Sequence, residues 1–184
     1  MHSRLIALSL AAATIAAAAC GSDSTSPKSN VVKLTATLTP AGEVGATLAG
    51  TTTASTGTFN GTLDTVTNAF NYTVTYAGLS SNVTLGHIHG PFTVGQTTGN
   101  SAGVILNFDP TAANTPLPSS ATFAKGATSG TAAGSVTLSS AVAISTTVNG
   151  DSLKKLLLAG KSYANVHTSL NGGGEVRGQI TVTP

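Results

Sequence analysis

From Val32 to Leu38 the chain reads Val-Lys-Leu-Thr-Ala-Thr-Leu, with apolar and polar residues in strict alternation. A period of two marks a strand with one buried face, because successive side chains on a strand point to opposite sides. It places Val32, Leu34, Ala36 and Leu38 together. Comparable segments lie at 57–63, 69–76, 83–89, 102–108, 130–138, 162–168 and 175–182. Charged residues make up only 8% of the chain while Thr, Ser, Val, Ala and Gly dominate, a composition that suits strands and turns and serves exposed helices poorly.

Turn chemistry separates these segments. Thr67-Asn68 reads as a hairpin connection and Gly78 to Asn82 as a second turn, while Gly90-Pro91 ends a strand because proline cannot donate to the ladder. Residues 109–125 contain Pro110, Pro116 and Pro118 and read as a long surface connection. Phe59, Phe70, Tyr72 and Tyr76 recur at strand spacing and read as core or sheet-face aromatics. Residues 149–159 are the one helical candidate, with Asp151 as cap, Leu153, Leu156 and Leu157 at helical spacing, and Gly160 as stop. The expected fold is all-β: a single antiparallel Greek-key β-sandwich or flattened barrel of about eight strands with one short helix.

The N-terminus is read apart from that domain. His2 and Arg4 precede Leu5 to Ala19, fifteen apolar or small residues apart from Ser9 and Thr14. This run is short for a helix crossing a hydrocarbon core of ~30 Å. It leads into Ala17-Ala18-Ala19-Cys20-Gly21, which resembles the lipobox of bacterial lipoproteins, with Ala17 where leucine is more usual. The resemblance implies a signal peptide over 1–19, lipidation of Cys20 and a membrane anchor. Gly21 is not the aspartate associated with inner-membrane retention, so the expected location is the outer membrane or cell surface. Residues 20–30 then form a polar, flexible tether, and 31–184 a single domain. Cys20 is the chain's one cysteine, so the domain is stable without an internal disulfide.

Beyond residue 19 there are seven Lys/Arg against six Asp/Glu, scattered singly, which gives no basic patch and no footing for nucleic acid. No Gly-x-Ser-x-Gly elbow, phosphate-binding loop or His-Glu-x-x-His motif is present, and Gly172-Gly173-Gly174 lies between two strands rather than before a helix. Nothing in the sequence specifies a reaction.

The histidines are the remaining chemical signal. His87 and His89 share one face of a strand, and His167 lies on a distant strand, in Asn165-Val166-His167-Thr168. Two readings stand side by side. In one, the three rings hydrogen-bond backbone carbonyls and loop groups and close one end of the domain; in the other, they hold a metal with an open coordination position. Imidazole suits copper or zinc. Glu175 and Arg177, two apart, are placed to pair with each other or to act as outer support for the histidines, and Glu43 has the same two readings. Tyr163 is placed to pack over the histidine end.

The order and spacing of His87-Ile88-His89-Gly90-Pro91, the helical segment 151–160, Tyr163-Ala164-Asn165-Val166-His167-Thr168 and Gly173-Gly174-Glu175-Val176-Arg177-Gly178-Gln179 resemble the CHRD domain, a module named for its occurrence in chordin. Leu38-Thr39-Pro40-Ala41-Gly42-Glu43-Val44 is similar to that domain's opening, so the resemblance covers roughly residues 32 to 182. Gly45 and Gly172 stand where members usually have proline, which loosens two turns. The resemblance implies a lipid-anchored envelope protein acting as a non-catalytic binding or structural module for an unknown protein or small-molecule ligand.

A weaker resemblance is to copper-zinc superoxide dismutases, Greek-key barrels in which a His-x-His strand and a later Val-His strand supply three of four copper ligands. His87, His89 and His167 match those three. The domain has no further histidine for a bridging ligand and no disulfide, and Arg177 is not equated with that family's guiding arginine. These departures argue against an active dismutase and leave, as the alternative function, a mononuclear copper or zinc protein, redox-active in a dismutase-like way.

Overall fold

In the computed structural model the described residues are 29–50, 54–91, 102–111, 120–140 and 148–183. The apolar run 5–19, Cys20 and the tether up to residue 28 lie outside them. The alternation of residues 32–38 is realised in β1 (Val31–Leu38), where Leu34, Ala36 and Leu38 are buried and Lys33 and Thr37 are exposed. β2 (Thr56–Asp64) and β3 (Ala69–Ala77) repeat the pattern. They are joined by a turn in which the Asp64 carboxylate accepts hydrogen bonds from the Val66 and Thr67 amides at 2.8 and 2.9 Å and Asn68 takes φ 61°.

The remaining strands are β4 (Val83–His89), β5 (Val104–Asn107), β6 (Ser120–Phe123), β7 (Gly130–Thr137), β8 (Tyr163–Thr168), β9 (Val176–Gln179) and β10 (Thr181–Thr183). They form a six-stranded sheet in the order β10-β1-β2-β3-β7-β6 and a four-stranded sheet in the order β5-β4-β8-β9. All pairings between strands are antiparallel. The expected all-β sandwich is found, with two separate sheets rather than a flattened barrel. The neighbours β3-β7, β4-β8 and β1-β10 are far apart in sequence, because the chain passes from one sheet to the other after β3, β5, β7 and β9.

Three local expectations are corrected. The stretch 109–125 is not all connection, since Ser120–Phe123 pairs with β7 at the sheet edge. The segment 175–182 is two strands, because after Gln179 the chain leaves the second sheet and Thr181 pairs with Thr35 in the first. Asp151 lies in the first turn of α1 (Gly150–Leu158), but Asn149 is the cap, its side chain accepting from the Ser152 amide at 3.0 Å. Leu153 and Leu157 are buried as their spacing implies, and Gly160 follows the helix at φ 63°.

The core lies between the inner faces, with Leu34, Leu38, Phe59, Phe70 and Val74 from the first sheet meeting Ile88, Leu106, Val166 and Val176 from the second. Tyr72 packs against Phe108, just beyond β5, at 5.3 Å between ring centroids. Opposite Tyr72 in the register stands Gly134, where a Cβ would come within 2.4 Å of the Tyr72 hydroxyl, so only glycine leaves the ring its place. Thr39, just past β1, pairs with the backbone of Arg177 on β9 through bonds of 3.1 and 3.0 Å. That contact carries the 3-10 turn Pro40–Gly42 and Glu43 toward the second sheet.

Candidate functional site

β4 and β8 pair with His87 opposite Asn165, His89 opposite Tyr163 and Leu85 opposite His167. Since Ile88, Ala164 and Val166 face the core, alternation turns His87, His89, Tyr163, Asn165 and His167 to the other face. Arg177, opposite Asn165 on β9 and next to the core residue Val176, joins them. Such an outer face would ordinarily meet water. Here it does not: none of the six side chains belongs to a residue more than 8% exposed.

Backbone from two loops meets these rings. His89 Nδ1 lies 2.7 Å from the carbonyl oxygen of Ala102, and His167 Nδ1 lies 3.0 Å from that of Gly172. A carbonyl only accepts, so both Nδ1 atoms carry the proton, and on a neutral ring each Nε2 then presents a lone pair. His167 Nε2 faces His87 Nδ1 at 3.0 Å and the Asn165 side-chain oxygen at 3.2 Å. His89 Nε2 is buried without a well-formed hydrogen bond. One ligand nitrogen from each of the three rings falls within a set no wider than 4.8 Å. The convergence expected of His87, His89 and His167 is thus present, and the two carbonyl bonds expected of structural histidines are present as well.

Burial keeps the rings neutral, because desolvation penalises the imidazolium form. It pushes His87 down to about 3, with the neighbouring His167 and His89 adding to the effect, and His89 down to about 4. His167 is also lowered by burial, against the opposing pull of the Gly172 carbonyl.

The face is built in layers. The His89 ring stacks on Tyr163 at 4.7 Å and 7°, and the Arg177 guanidinium carbon lies 3.5 Å from the centroid of the Tyr163 ring. Tyr163 therefore does pack over the histidine end. Glu43 is half-buried beside Asn165 and Gly174. Burial raises its carboxyl to about 7, and the Arg177 charge and a hydrogen bond from Asn165 only partly offset that. A Cβ on Gly174, whose φ is 124°, would stand 2.3 Å from Glu43 Oε1, so a glycine is required for the loop to close over the carboxyl.

Glu175 lies elsewhere. Its fully buried carboxylate accepts from Ser55 Oγ at 3.0 Å, the Ser80 amide and hydroxyl at 2.6 Å each, Thr168 Oγ1 at 2.7 Å and Asn171 Nδ2 at 3.1 Å. Burial alone would raise its pKa, but the bonds from Ser80, Thr168 and Asn171 hold it below the usual carboxylate range. These contacts are neither an ion pair with Arg177 nor support for the histidines: the carboxylate is structural in another way, tying the loop after β3 to the hairpin between β8 and β9.

The family model of the CHRD domain matches residues 34–180. The chain belongs to the CHRD domain family. The matched span begins and ends on fully buried residues, Leu34 and Ile180, and encloses the core, α1 and the histidine face. No curated protein and no solved structure matches the chain. Membership supports a binding or structural module in general terms.

Within this CHRD domain the sequence reading missed the part played by Asn165. Its position two residues before His167 was the available signal, because on a strand that spacing shares a face.

Proposed function

We propose that this protein is a lipid-anchored envelope protein whose CHRD sandwich is a binding module, with the outer face of the second sheet as its ligand site. The observation that carries the site is the burial of His87, His89, Asn165, His167 and Arg177 on a face turned away from the core. Covering imidazoles, an amide and a guanidinium costs stability unless each group is satisfied, and a sandwich of this size has an apolar core without them. Polar side chains kept under loops at a stability cost are what a preorganised binding site requires. The anchor rests on the apolar run 5–19 and on Cys20 followed by the polar tether.

The two parts are tested separately. Cys20→Ser is expected to release the protein from membranes on cell fractionation; a variant that stays in the membrane fraction removes the anchor. His87→Leu, which takes from the buried His167 Nε2 the hydrogen of His87 Nδ1, is expected to cost no more than about 2 kcal/mol in chelator-treated protein, within the range for one acceptor left unpaired. A loss of about 3 kcal/mol or more in chemical denaturation would make the face a structural plug.

A further inference from the structure

The hydrogen bonds around the three histidines leave too few protons for the atoms that converge there. With Nδ1 of His89 and His167 committed to the Ala102 and Gly172 carbonyls, both Nε2 atoms of the neutral rings are acceptors. His167 Nε2 then faces the Asn165 oxygen, another acceptor, at 3.2 Å, and its one available hydrogen in this group is on His87 Nδ1, at 3.0 Å. The Asn165 amide nitrogen lies on the side of the Glu43 carboxyl, under Gly174. His89 Nε2 is buried without a well-formed hydrogen bond, and its ring interacts with the same Asn165 side chain. Imidazole nitrogens that converge under cover with one hydrogen among them, on His87 Nδ1, can exchange that hydrogen for a cation.

The spacing of one pair fits a single ion. With bonds of about 2.0–2.1 Å to nitrogen, two imidazoles on one tetrahedral ion place their ligand atoms ~3.3 Å apart. The 3.0 Å between His87 Nδ1 and His167 Nε2 is close to that, whereas the widest separation in the set, 4.8 Å, exceeds the ~4.2 Å that two such bonds can span, so a ring moves inward when the ion binds. The donor chemistry narrows the choice of ion. Three neutral nitrogens and no carboxylate do not suit calcium or magnesium, which take oxygen ligands. They suit copper(II) and zinc(II), with copper bound more tightly by the same set. The carbonyl bonds at both Nδ1 atoms are the outer partners that fix ring orientation at metal sites. Arg177 and Glu43 bring opposite charges to the rim, the guanidinium over Tyr163 and the carboxyl beside Asn165.

We propose that His87 through Nδ1, and His89 and His167 through Nε2, bind one divalent transition-metal ion, copper(II) more tightly than zinc(II), on the outer face of the second sheet. This rests on reading that face as the ligand site and is independent of the anchor. It names the ligand as an ion and leaves the fourth position open.

The test uses the full chain in detergent, stripped of metal and titrated in turn with copper(II) and zinc(II) against a competing chelator. One ion per chain is expected, with copper the tighter, and the copper form is expected to show nitrogen coupling from three imidazoles in electron paramagnetic resonance. His87→Gln and His167→Gln, checked for folding by circular dichroism, are expected to weaken binding 100-fold or more, whereas Thr73→Gln, on the outer face of the six-stranded sheet, is expected to leave it unchanged. Absence of stoichiometric binding, affinity unchanged in a folded His167→Gln protein, or a wild-type copper spectrum with fewer than three imidazoles would overturn the proposal. The spectrum is read on the wild type and needs no variant to fold. If no metal binds while His87→Leu loses no more than about 2 kcal/mol, the ion is removed and the binding face stands; if it loses about 3 kcal/mol or more, the face itself is lost.

Discussion

The outer faces of the two sheets are built by the same alternation and end in opposite states. On the six-stranded sheet, Thr37, Thr58, Thr75 and Thr131 lie side by side across four strands, as do Thr35, Asn60 and Thr73 across three. Most of these are exposed, and the Thr58 and Thr75 hydroxyls bond each other at 2.7 Å. On the four-stranded sheet the corresponding positions hold histidines, Asn165 and Arg177, and they are buried. The period of two fixes which residues turn away from the core. It does not fix whether that direction leads to water. Loops decide that, and this fold spends its loops on the face that carries titratable chemistry.

The largest expected consequence is in acid. The buried histidines have folded-state pKa values below the ordinary 6.5, His87 at about 3 and His89 at about 4, with His167 also lowered. Their contribution to stability is therefore full above pH 6.5 and is lost as the pH falls from there through the folded values, because the unfolded chain takes up protons first. Each such proton costs about 1.4 kcal/mol per pH unit. Glu43 has the opposite sign: its pKa is raised from 4.5 to about 7, so its contribution is full below 4.5 and is lost as the pH rises through 7. One carboxyl opposes three imidazoles, and below pH 4.5 it opposes nothing. Thermal midpoints of metal-free protein are expected to fall steeply between pH 6.5 and pH 4, and the triple leucine variant at His87, His89 and His167 is expected to flatten that fall. A wild-type midpoint that stays constant across this range would break the contrast between the faces.

Next in size is a contrast within the second sheet. Glu175→Ala removes the acceptor shared by Ser55, Ser80, Thr168 and Asn171 and takes from the Ser80 amide and the Thr168 hydroxyl the carboxylate they donate to. A loss of about 3 kcal/mol or more is expected in chemical denaturation, above the change expected for His87→Leu. Equal losses at the two sites would mean that the histidine face is structural in the same sense as the Glu175 knot.

Much of this was legible in the chain. The faces of β1, β2 and β3, the helix at 150–158 and the shared face of His87 and His89 follow from period, spacing and a few turn residues, while the arrival of His167 beside them rests on the pairing of β4 with β8. What was not legible depends on long-range pairing. Ser120–Phe123 is four residues long and held only by β7, and the prolines before it dominate the local signal. The alternation through 175–182 runs on without a break, so nothing local shows that Gln179 pairs with Tyr163 while Thr181 pairs with Thr35. Glu175 finds Ser55 and Ser80, 120 and 95 residues away, rather than the nearby arginine that spacing suggested. Burial of the histidine face is of the same kind. Ala102, Gly172 and Glu43 come from three separate loops, and no periodicity announces where a loop will lie.

The smallest expected effect isolates that burial. Thr73 is exposed on β3, between Asn60 and Ala133, on the open face of the first sheet. Thr73→His places an imidazole on a strand as His87 is placed, but with water above it. Stability is expected to change by at most about 1 kcal/mol, the span of strand preferences. The new ring is expected to titrate near the ordinary value of about 6.5 in nuclear magnetic resonance. Because sheet and alternation are the same in both places, a normal pKa at position 73 assigns the depression at His87 and His89 to the loops that cover them. A ring at position 73 shifted by more than about one unit would mean that the strand environment itself disfavours the charge, and the loops would lose their part in the argument.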